Sequence, residues 1–133
     1  MSVLIRLSFA LAAALCLAAP ASAFDINAFR AQHKLPRLSM SSTLSGYASA
    51  HAYDMAARRH LDHNGFLARA RMRGSVSAQN VAYGCATEDC AFRMWSRSAG
   101  HRRNMLLKGI SAYGIASADA GNGRRYWVLE LGN

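Results

Sequence analysis

Apolar residues recur at spacings of three and four over residues 42–59, and this period predicts an amphipathic helix with one buried face. Ser41 or Ser42 can cap its first turn. One histidine lies among the apolar positions, where a half-buried ring whose nitrogens bond to backbone groups is the simplest expectation. The positions that share the face are Leu44, Tyr47, Ala48, His51 and Met55.

Shorter helical segments are predicted on either side of this helix. Asp25 favours a helix start, and Pro36 lies beyond the end of a segment over about 25–32. The stretch "LPRLSMSS" reads as a connector. Asn64-Gly65 is a turn pair that breaks the long helix. A helical or irregular segment is expected over 66–74, where it stops at Gly74. A further helix is expected from the N-cap Thr87 to about Arg97, and a helical turn over 101–106.

The spacing of apolar residues changes near the C-terminus. Two segments, 110–118 and 125–132, flank Asn122-Gly123, which is a strong hairpin signal. The run around Val128 is almost continuously apolar, as in a strand covered on both faces, and 79–83 can form another brief strand. Helices followed by a sheet hidden on both sides predict an α+β fold with three α-β-α layers.

The first 23 residues have the pattern of an export signal. Arg6 precedes the apolar run "LSFALAAALCLAA", and the small residues Ala21-Ser22-Ala23 follow it. The run is too short for a convincing membrane span. Cys16 raises the alternative of a lipid-anchored protein, but Leu15 before it is not small. We therefore expect cleavage after Ala23, export to a periplasm or beyond, and one domain over 24–133 without a transmembrane segment.

The chain has a formal net charge of +9, of which one positive charge, Arg6, lies in the leader. This charge favours anionic partners such as envelope polymers or phospholipid headgroups, although it can also serve solubility alone. Nucleic acid is not expected, because the arginines are scattered and no recognised binding motif is present.

Cys85 and Cys90 are the two cysteines that follow the leader, in "GCATEDCA". An even count in an exported chain favours a disulfide between them. A metal pair and two free thiols are the alternatives. The absence of a second C-x-x-C and of a nearby histidine in the sequence argues against the metal.

Two histidines, His63 in "LDHNGF" and His101 in "SAGHRRNM", lie in Gly-flanked polar segments that are 38 residues apart. Their spacing does not match a helical metal motif such as H-E-x-x-H. Taken alone, two separate structural histidines are the simplest interpretation. A shared metal site and a Ser98–His101 dyad are weaker alternatives, since no third group is evident to orient the histidine.

A series of motifs in a fixed order connects these segments. It runs "LSGYASAHAYDMA", "HNG", "QNVAYG", "MWSRSAGHRRNML", "YGIA" and "YWVLELG". From Leu38 to the C-terminus the chain resembles the CAP superfamily, the SCP-like extracellular domains. This group includes cysteine-rich secretory proteins, insect venom antigens, plant pathogenesis-related proteins and many exported bacterial proteins. The resemblance is greatest to the short bacterial members and implies a three-layer α-β-α sandwich.

The resemblance also implies a shallow cleft with two histidines and, in many members, two acidic residues. His63 and His101 match the family histidines. Gln79 and Ser98 stand where the acids usually stand, and serine there is common in bacterial members. Asn80 keeps the strand motif, which implies that the backbone supporting the cleft is intact.

Gln79 is the departure that decides the expected chemistry. An amide is a poor zinc ligand and cannot accept a proton at neutral pH. Arg102 and Arg103 would disfavour a cation and lower the basicity of His101, while Glu88 and Asp89 belong to a helix N-terminus. We therefore expect a cleft without negative charge, in a non-enzymatic binding module for an envelope lipid, glycan or other anionic ligand. One alternative is a structural or regulatory zinc site on His63 and His101, and zinc is the only cofactor that the sequence suggests. The other alternative is a weak hydrolase or protease.

Overall fold

The computed structural model describes residues 23–73 and 77–133. The predicted export signal up to Ser22 and the predicted helix stop at Gly74 lie outside these residues. The elements follow in the order α1 (Ile26–Gln32), β1 (Ser39–Met40), α2 (Ser42–Arg58), α3 (Phe66–Arg73), β2 (Ala78–Tyr83), α4 (Glu88–Arg97), α5 (Ala99–Met105), β3 (Ala112–Asp119) and β4 (Arg125–Gly132).

Local signals place most of these elements where the sequence predicts them. The side chains of Asp25, Ser41 and Thr87 cap α1, α2 and α4, accepting hydrogen bonds from backbone nitrogens two or three residues on. The buried face of α2 contains Leu44, Ala48, His51, Ala52 and Met55, whereas Tyr47 is only partly buried. Helix α5 begins at Ala99, so the predicted turn over "SAGH" is already helical.

The sheet has the strand order β1-β3-β4-β2. Strands β3 and β4 form the predicted hairpin, and β2 pairs antiparallel with β4 so that Val81 lies opposite Val128. Strand β1 pairs parallel with β3, which corrects the prediction of a simple connector. Two exposed residues are too few to show a strand period. Their strand geometry comes from pairing with β3, where Ser39 N donates to the Ser111 carbonyl at 2.9 Å.

Alternate residues of β4 enter two separate cores. Trp127, Leu129 and Leu131 pack with α1, α4 and α5 on one face. Tyr126 and Val128 pack with α2 on the other face. The sheet is therefore covered on both sides, and the α+β fold with three α-β-α layers is confirmed. Helix α2 approaches β3 so closely that a Cβ on Gly114 would overlap the backbone of Leu44 and Ser45.

Two buried polar residues hydrogen-bond to the segments that connect the helices and strands. His51 is 4% exposed, and its Nε2 donates to the Asp62 carbonyl at 2.8 Å, as expected for a buried histidine with a backbone partner. Arg30 is fully buried. It donates to the carbonyls of Pro36, Met105 and Leu107 at 2.9–3.0 Å, which holds α1 against the end of α5.

The predicted disulfide between Cys85 and Cys90 is confirmed. It closes the turn between β2 and the first turn of α4. The carbonyl of Cys85 accepts a hydrogen bond from the indole of Trp127 at 2.9 Å, so the turn is also attached to β4. The alternatives of a metal pair and of free thiols are therefore wrong.

Candidate functional site

The edge strand β2 separates the two histidine segments. Its residues alternate between the faces of the sheet, so that Gln79 lies on the face covered by α2 and Asn80 on the face covered by α4 and α5. His63 contacts the side chain of Gln79, and His101 is bonded through its backbone to Asn80. The cleft residues predicted from the sequence are therefore assembled around one strand.

His63 lies in the turn between α2 and α3. Asp62 shapes this turn by accepting a hydrogen bond from Asn64 N at 3.0 Å, and Gly65 takes the positive φ of 75° that the turn requires. The ring of His63 is directed at β2, where its Nδ1 lies 2.7 Å from the side-chain oxygen of Gln79. The predicted first histidine and the amide at the first acid position are thus in direct contact.

His101 lies in the first turn of α5. Asn80 is fully buried; its Nδ2 donates to the His101 carbonyl at 3.0 Å, and its Oδ1 accepts from Asn104 at 2.9 Å. Burial lowers the pKa of the His101 imidazole, and the nearby charge of His63 lowers it further. The charged form of His101 is therefore disfavoured relative to a free imidazole, and the two histidines are close enough for their charges to interact.

The two arginines after His101 do not act as expected. Arg102 donates to His33 Nε2 at 2.9 Å and stacks over the Phe29 ring at 5.1 Å, so it is directed toward α1. Consecutive residues of a helix point in directions about 100° apart, so Arg102 points away from the side on which His101 lies. The lowered pKa of His101 was predicted in the right direction, but burial and His63 cause it rather than Arg102 and Arg103.

Ser98 joins α4 to α5 and is partly buried. Within residues 23–73 and 77–133 its hydroxyl makes no hydrogen bond to His101, so the geometry does not support a Ser–His dyad. Trp95, three residues earlier, is fully buried, and its indole donates to the Val81 carbonyl at 3.1 Å. This bond attaches α4 to the open side of the edge strand and places Ser98 beside the cleft.

Glu130 is the site residue that the sequence analysis missed. It lies opposite Gln79 in β4 and is fully buried. Its Oε1 accepts hydrogen bonds from Gln79 Nε2 at 2.8 Å and from Arg69 Nη2 at 3.1 Å. A fully buried carboxylate paired with Arg69 therefore lies beside the cleft, behind Gln79, which the sequence analysis did not expect. The sequence contained one signal for it: Glu130 is a charged residue in a strand predicted to be covered on both faces, where charged side chains are rare.

The other acidic residues near the cleft are engaged elsewhere. Asp62 accepts from Arg58 at 2.8 Å, and the hydrogen bonds from Arg58 and the Asn64 backbone lower its pKa to about 2. Asp89 accepts from Arg93 at 2.7 Å at the start of α4, as expected for an acid in a first turn. Neither carboxylate is bonded to a cleft histidine.

The donor set does not fit a tightly held zinc ion. In the part of the chain that the structure describes, no group of three or more His, Cys, Asp or Glu side chains could hold a metal. Both ends of the Gln79 amide are already bonded, to His63 and to Glu130. A structural zinc site needs four ligands, and a catalytic one needs three from the protein.

A concave site apart from the two histidines, which we call the hairpin pocket, lies at the end of the β3–β4 hairpin. Its cavity of about 480 Å³ is lined by Arg59, Tyr83, Ala120, Gly121, Asn122 and Tyr126. The rings of Tyr83 and Tyr126 are 4.6 Å apart, and Asn122 Nδ2 donates to the Tyr83 hydroxyl at 3.3 Å.

Positive charge collects at the hairpin pocket. The hydrogen bond from Asn122 lowers the pKa of the Tyr83 hydroxyl, and Arg124 and Arg59 lower it further. A lowered tyrosine pKa means that the surroundings favour the anionic form. The sequence analysis recognised the hairpin but not this site, because Arg59 ends α2 and is brought to the hairpin only by the fold.

Among the described residues, no helix is long and apolar enough to cross a membrane.

Comparison with known proteins agrees with this architecture. Residues 24–131 match the model of the cysteine-rich secretory protein family, CAP. The protein YkwD of Bacillus subtilis is 26% identical over 104 residues, which are 72% of this chain and 40% of that protein. The chain therefore spans less than half the length of this curated relative.

Two solved structures share the fold at low sequence identity. An outer surface protein from Borrelia burgdorferi has a TM-score of 0.71 at 17% identity, over 81% of this chain and 86% of that one. An extracellular protein containing an SCP domain, from Bacillus anthracis, has a TM-score of 0.70 at 21% identity, over 80% of this chain and 37% of that one. With the family match over almost the whole described region, these similarities lead to one conclusion: the chain belongs to the cysteine-rich secretory protein (CAP) family.

Proposed function

We propose that this protein is an exported, non-enzymatic binding module for an anionic component of the cell envelope, either a phospholipid headgroup or an acidic glycan. The observation that carries the proposal is the hairpin pocket. It combines one cationic side chain, Arg59, with an amide and two neighbouring aromatic rings around one cavity, and Arg124 acts on the Tyr83 hydroxyl beside it.

The charges of the hairpin pocket suit an anion. Neither Arg59 nor Arg124 forms an ion pair with an acidic side chain among the residues that the structure describes, whereas the neighbouring Arg125 lies 3.8 Å from Asp119. An unpaired guanidinium can form two parallel hydrogen bonds with a phosphate or carboxylate. The rings of Tyr83 and Tyr126 offer an apolar wall beside these charges, which suits a sugar ring or the glycerol part of a headgroup.

The cleft supports a binding role over catalysis. A catalytic histidine is commonly held by a carboxylate, whose charge stabilises the imidazolium that forms when the ring takes a proton. The side-chain partner of His63 is an amide, and His101 makes no bond to a carboxylate within the described ranges. The predicted leader and the likeness to an extracellular bacterial protein support export.

The test measures binding of the processed chain, residues 24–133, to two separate probes. One probe is a vesicle of phosphatidylglycerol in phosphatidylcholine, and the other is a soluble polyuronate. The variant R59Q/R124Q removes the cationic group that lines the hairpin pocket, Arg59, and the neighbouring cation that acts on Tyr83, Arg124. The control R37Q/R103Q removes the same net charge from exposed arginines elsewhere.

We expect the dissociation constant for one probe to rise at least about tenfold in R59Q/R124Q and by less than about twofold in the control. Because the attraction is mainly between charges, binding should also weaken steeply between about 0.05 M and about 0.5 M salt. Equal losses in both variants, or binding that salt does not change, contradict the proposal. The probe that binds distinguishes the lipid from the glycan.

A weak zinc site on His63 and His101 is the second candidate, and the observation behind it is that the two rings are near enough for His63 to lower the pKa of His101. It is tested by thermal unfolding of the metal-stripped protein with and without zinc. A zinc-induced rise in Tm that disappears in H63A/H101A supports this site. No rise contradicts it.

A further inference from the structure

Gln79 and Glu130 form a bonded pair beside the cleft, and no family motif in this sequence assigns a role to Glu130. The two residues lie directly opposite each other on neighbouring strands. Their side chains are almost completely buried, at 4% and 0% exposure for the two residues. A continuous set of contacts runs from His63 through Gln79 to Glu130 and then to Arg69.

The chemistry of these groups determines which way the Gln79 amide faces. Arg69 has only donors, and its Nη2 lies 3.1 Å from Glu130 Oε1. This positive charge keeps Glu130 Oε1 an acceptor, so the group that Gln79 presents to it must be the amide nitrogen, at 2.8 Å. The carbonyl oxygen of Gln79 is therefore the atom that faces His63.

The orientation of the amide in turn determines the tautomer of His63. The side-chain oxygen of Gln79 can only accept a hydrogen bond, and it lies 2.7 Å from His63 Nδ1. The proton of neutral His63 must then be on Nδ1, which leaves the lone pair on Nε2. At Nε2 the ring accepts a hydrogen bond, as from a hydroxyl or ammonium group of a ligand, and does not donate one.

The same contacts explain why residue 79 is an amide. A glutamate there would place a second carboxylate against Glu130 in a buried position, and like charges in contact disfavour ionisation of both. With Gln79, the pair keeps a single negative charge, located one strand further into the sheet and paired with Arg69.

We propose that Glu130 is a positioning residue of the cleft, which acts through Gln79 to hold His63 in its Nδ1-protonated form with Nε2 open to a hydrogen-bond donor. This proposal does not depend on the hairpin pocket, so either proposal can fail without the other.

The test is the tautomer of His63, measured by nitrogen NMR on protein carrying 15N-labelled histidine, at a pH where the ring is neutral. The natural protein should show the proton on Nδ1. In R69Q/E130Q, residue 130 can also donate, and no group that has only donors holds its oxygen toward Gln79, so the Gln79 amide is free to turn over. The ratio of the two tautomers should then shift toward Nε2–H by about fivefold, the effect of about one net hydrogen bond.

Two further variants separate positioning from general damage to the fold. In Q79E/E130Q the carboxylate contacts His63 directly, and the Nδ1-protonated form should return. In S98A, a change beside the cleft but outside the contacts, the tautomer ratio should equal that of the natural protein. If R69Q/E130Q does not fold, R69M/E130M removes the acceptor and the cation together and is expected to shift the ratio in the same direction.

The proposal is overturned if the natural protein carries the proton on Nε2. It is also overturned if folded R69Q/E130Q, or folded R69M/E130M where the first variant fails, keeps the natural tautomer ratio. A shift of the ratio in S98A as large as that in R69Q/E130Q would contradict it as well, because the effect would then not run through Gln79.

Discussion

The backbone nitrogen of Phe24 lies 2.6 Å from the Oδ1 carboxylate oxygen of Asp89 at the start of α4. The ring of Phe24 stacks on Phe92 at 5.2 Å. The residue that follows the predicted cleavage site is therefore held by both its ring and its nitrogen. Cleavage after Ala23 would convert this nitrogen into an α-ammonium group next to a carboxylate.

We predict that D89N lowers the Tm of the chain that begins at Phe24 more than it lowers the Tm of the chain that begins at Ala23. In the longer chain Phe24 N is a neutral amide, so the loss of the carboxylate charge matters less. The difference should shrink as the pH rises above about 8 and the α-amino group loses its proton. Equal effects of D89N in both chains at pH 6 would contradict the pairing.

Asp62 makes the stability of the fold depend on pH in acid. Its pKa is lowered to about 2 by the hydrogen bonds from Arg58 and the Asn64 backbone, whereas an unfolded aspartate titrates near 3.9. The unfolded chain therefore binds the proton first. The stabilisation is complete above about pH 4 and is lost as the pH falls toward 2.

Urea unfolding of the natural protein and of D62N between about pH 5 and pH 2 tests this dependence. D62N should be less stable at pH 5 and should lose less stability on acidification, so that the two curves converge. Parallel curves would show that Asp62 does not contribute to the acid dependence.

His101 produces a second pH dependence with a different window. Burial and the charge of His63 lower its pKa from the ordinary value of 6.5. The unfolded state therefore binds a proton at a pH where the folded state does not. Stability should decrease as the pH falls below about 6.5, until the folded-state pKa is reached.

H101Q should remove this slope while leaving the acid dependence of Asp62 in place. H63Q should reduce the slope only partly, since burial is the larger cause of the lowered pKa. The measurement is the urea midpoint at intervals between about pH 7.5 and pH 4.5. A slope in H101Q equal to that of the natural protein would assign it to another group.

Gly114 and Gly46 form a matched pair for the packing of α2 against the sheet. A Cβ at Gly114 would overlap the backbone of α2, whereas a Cβ at Gly46, inside α2, would have no atom within 4 Å. We expect G114A to destabilise the fold by about 1–3 kcal/mol through overpacking. G46A should stabilise it by about 0.5–1 kcal/mol, because alanine has the higher helix propensity.

Urea unfolding of both variants measures these differences in the free energy of unfolding. The opposite signs are the critical result, since both changes add the same methyl group. A G114A protein as stable as the natural one would mean that α2 can move away from β3 at little cost.

The sequence by itself determined the elements whose signals are local. Asp25, Ser41 and Thr87 cap the helices that they precede because a cap needs only its own next three residues. Asn122-Gly123 marked the hairpin, and the apolar run around Val128 indicated a strand covered on both faces. The order of weak motifs indicated the family and with it the position of His63, Gln79, Ser98 and His101.

Only the tertiary structure decided the contacts between residues that are distant in the chain. Strand β1 exists because β3 lies beside it, and Arg59 and Tyr83 share a pocket because α2 ends beside the hairpin. Glu130 contacts Gln79 because the two residues are paired in the sheet, although they are 51 residues apart in the chain. A residue's charge can be read from the sequence, but its effect on a site depends on distance and burial, and those exist only once the chain has folded.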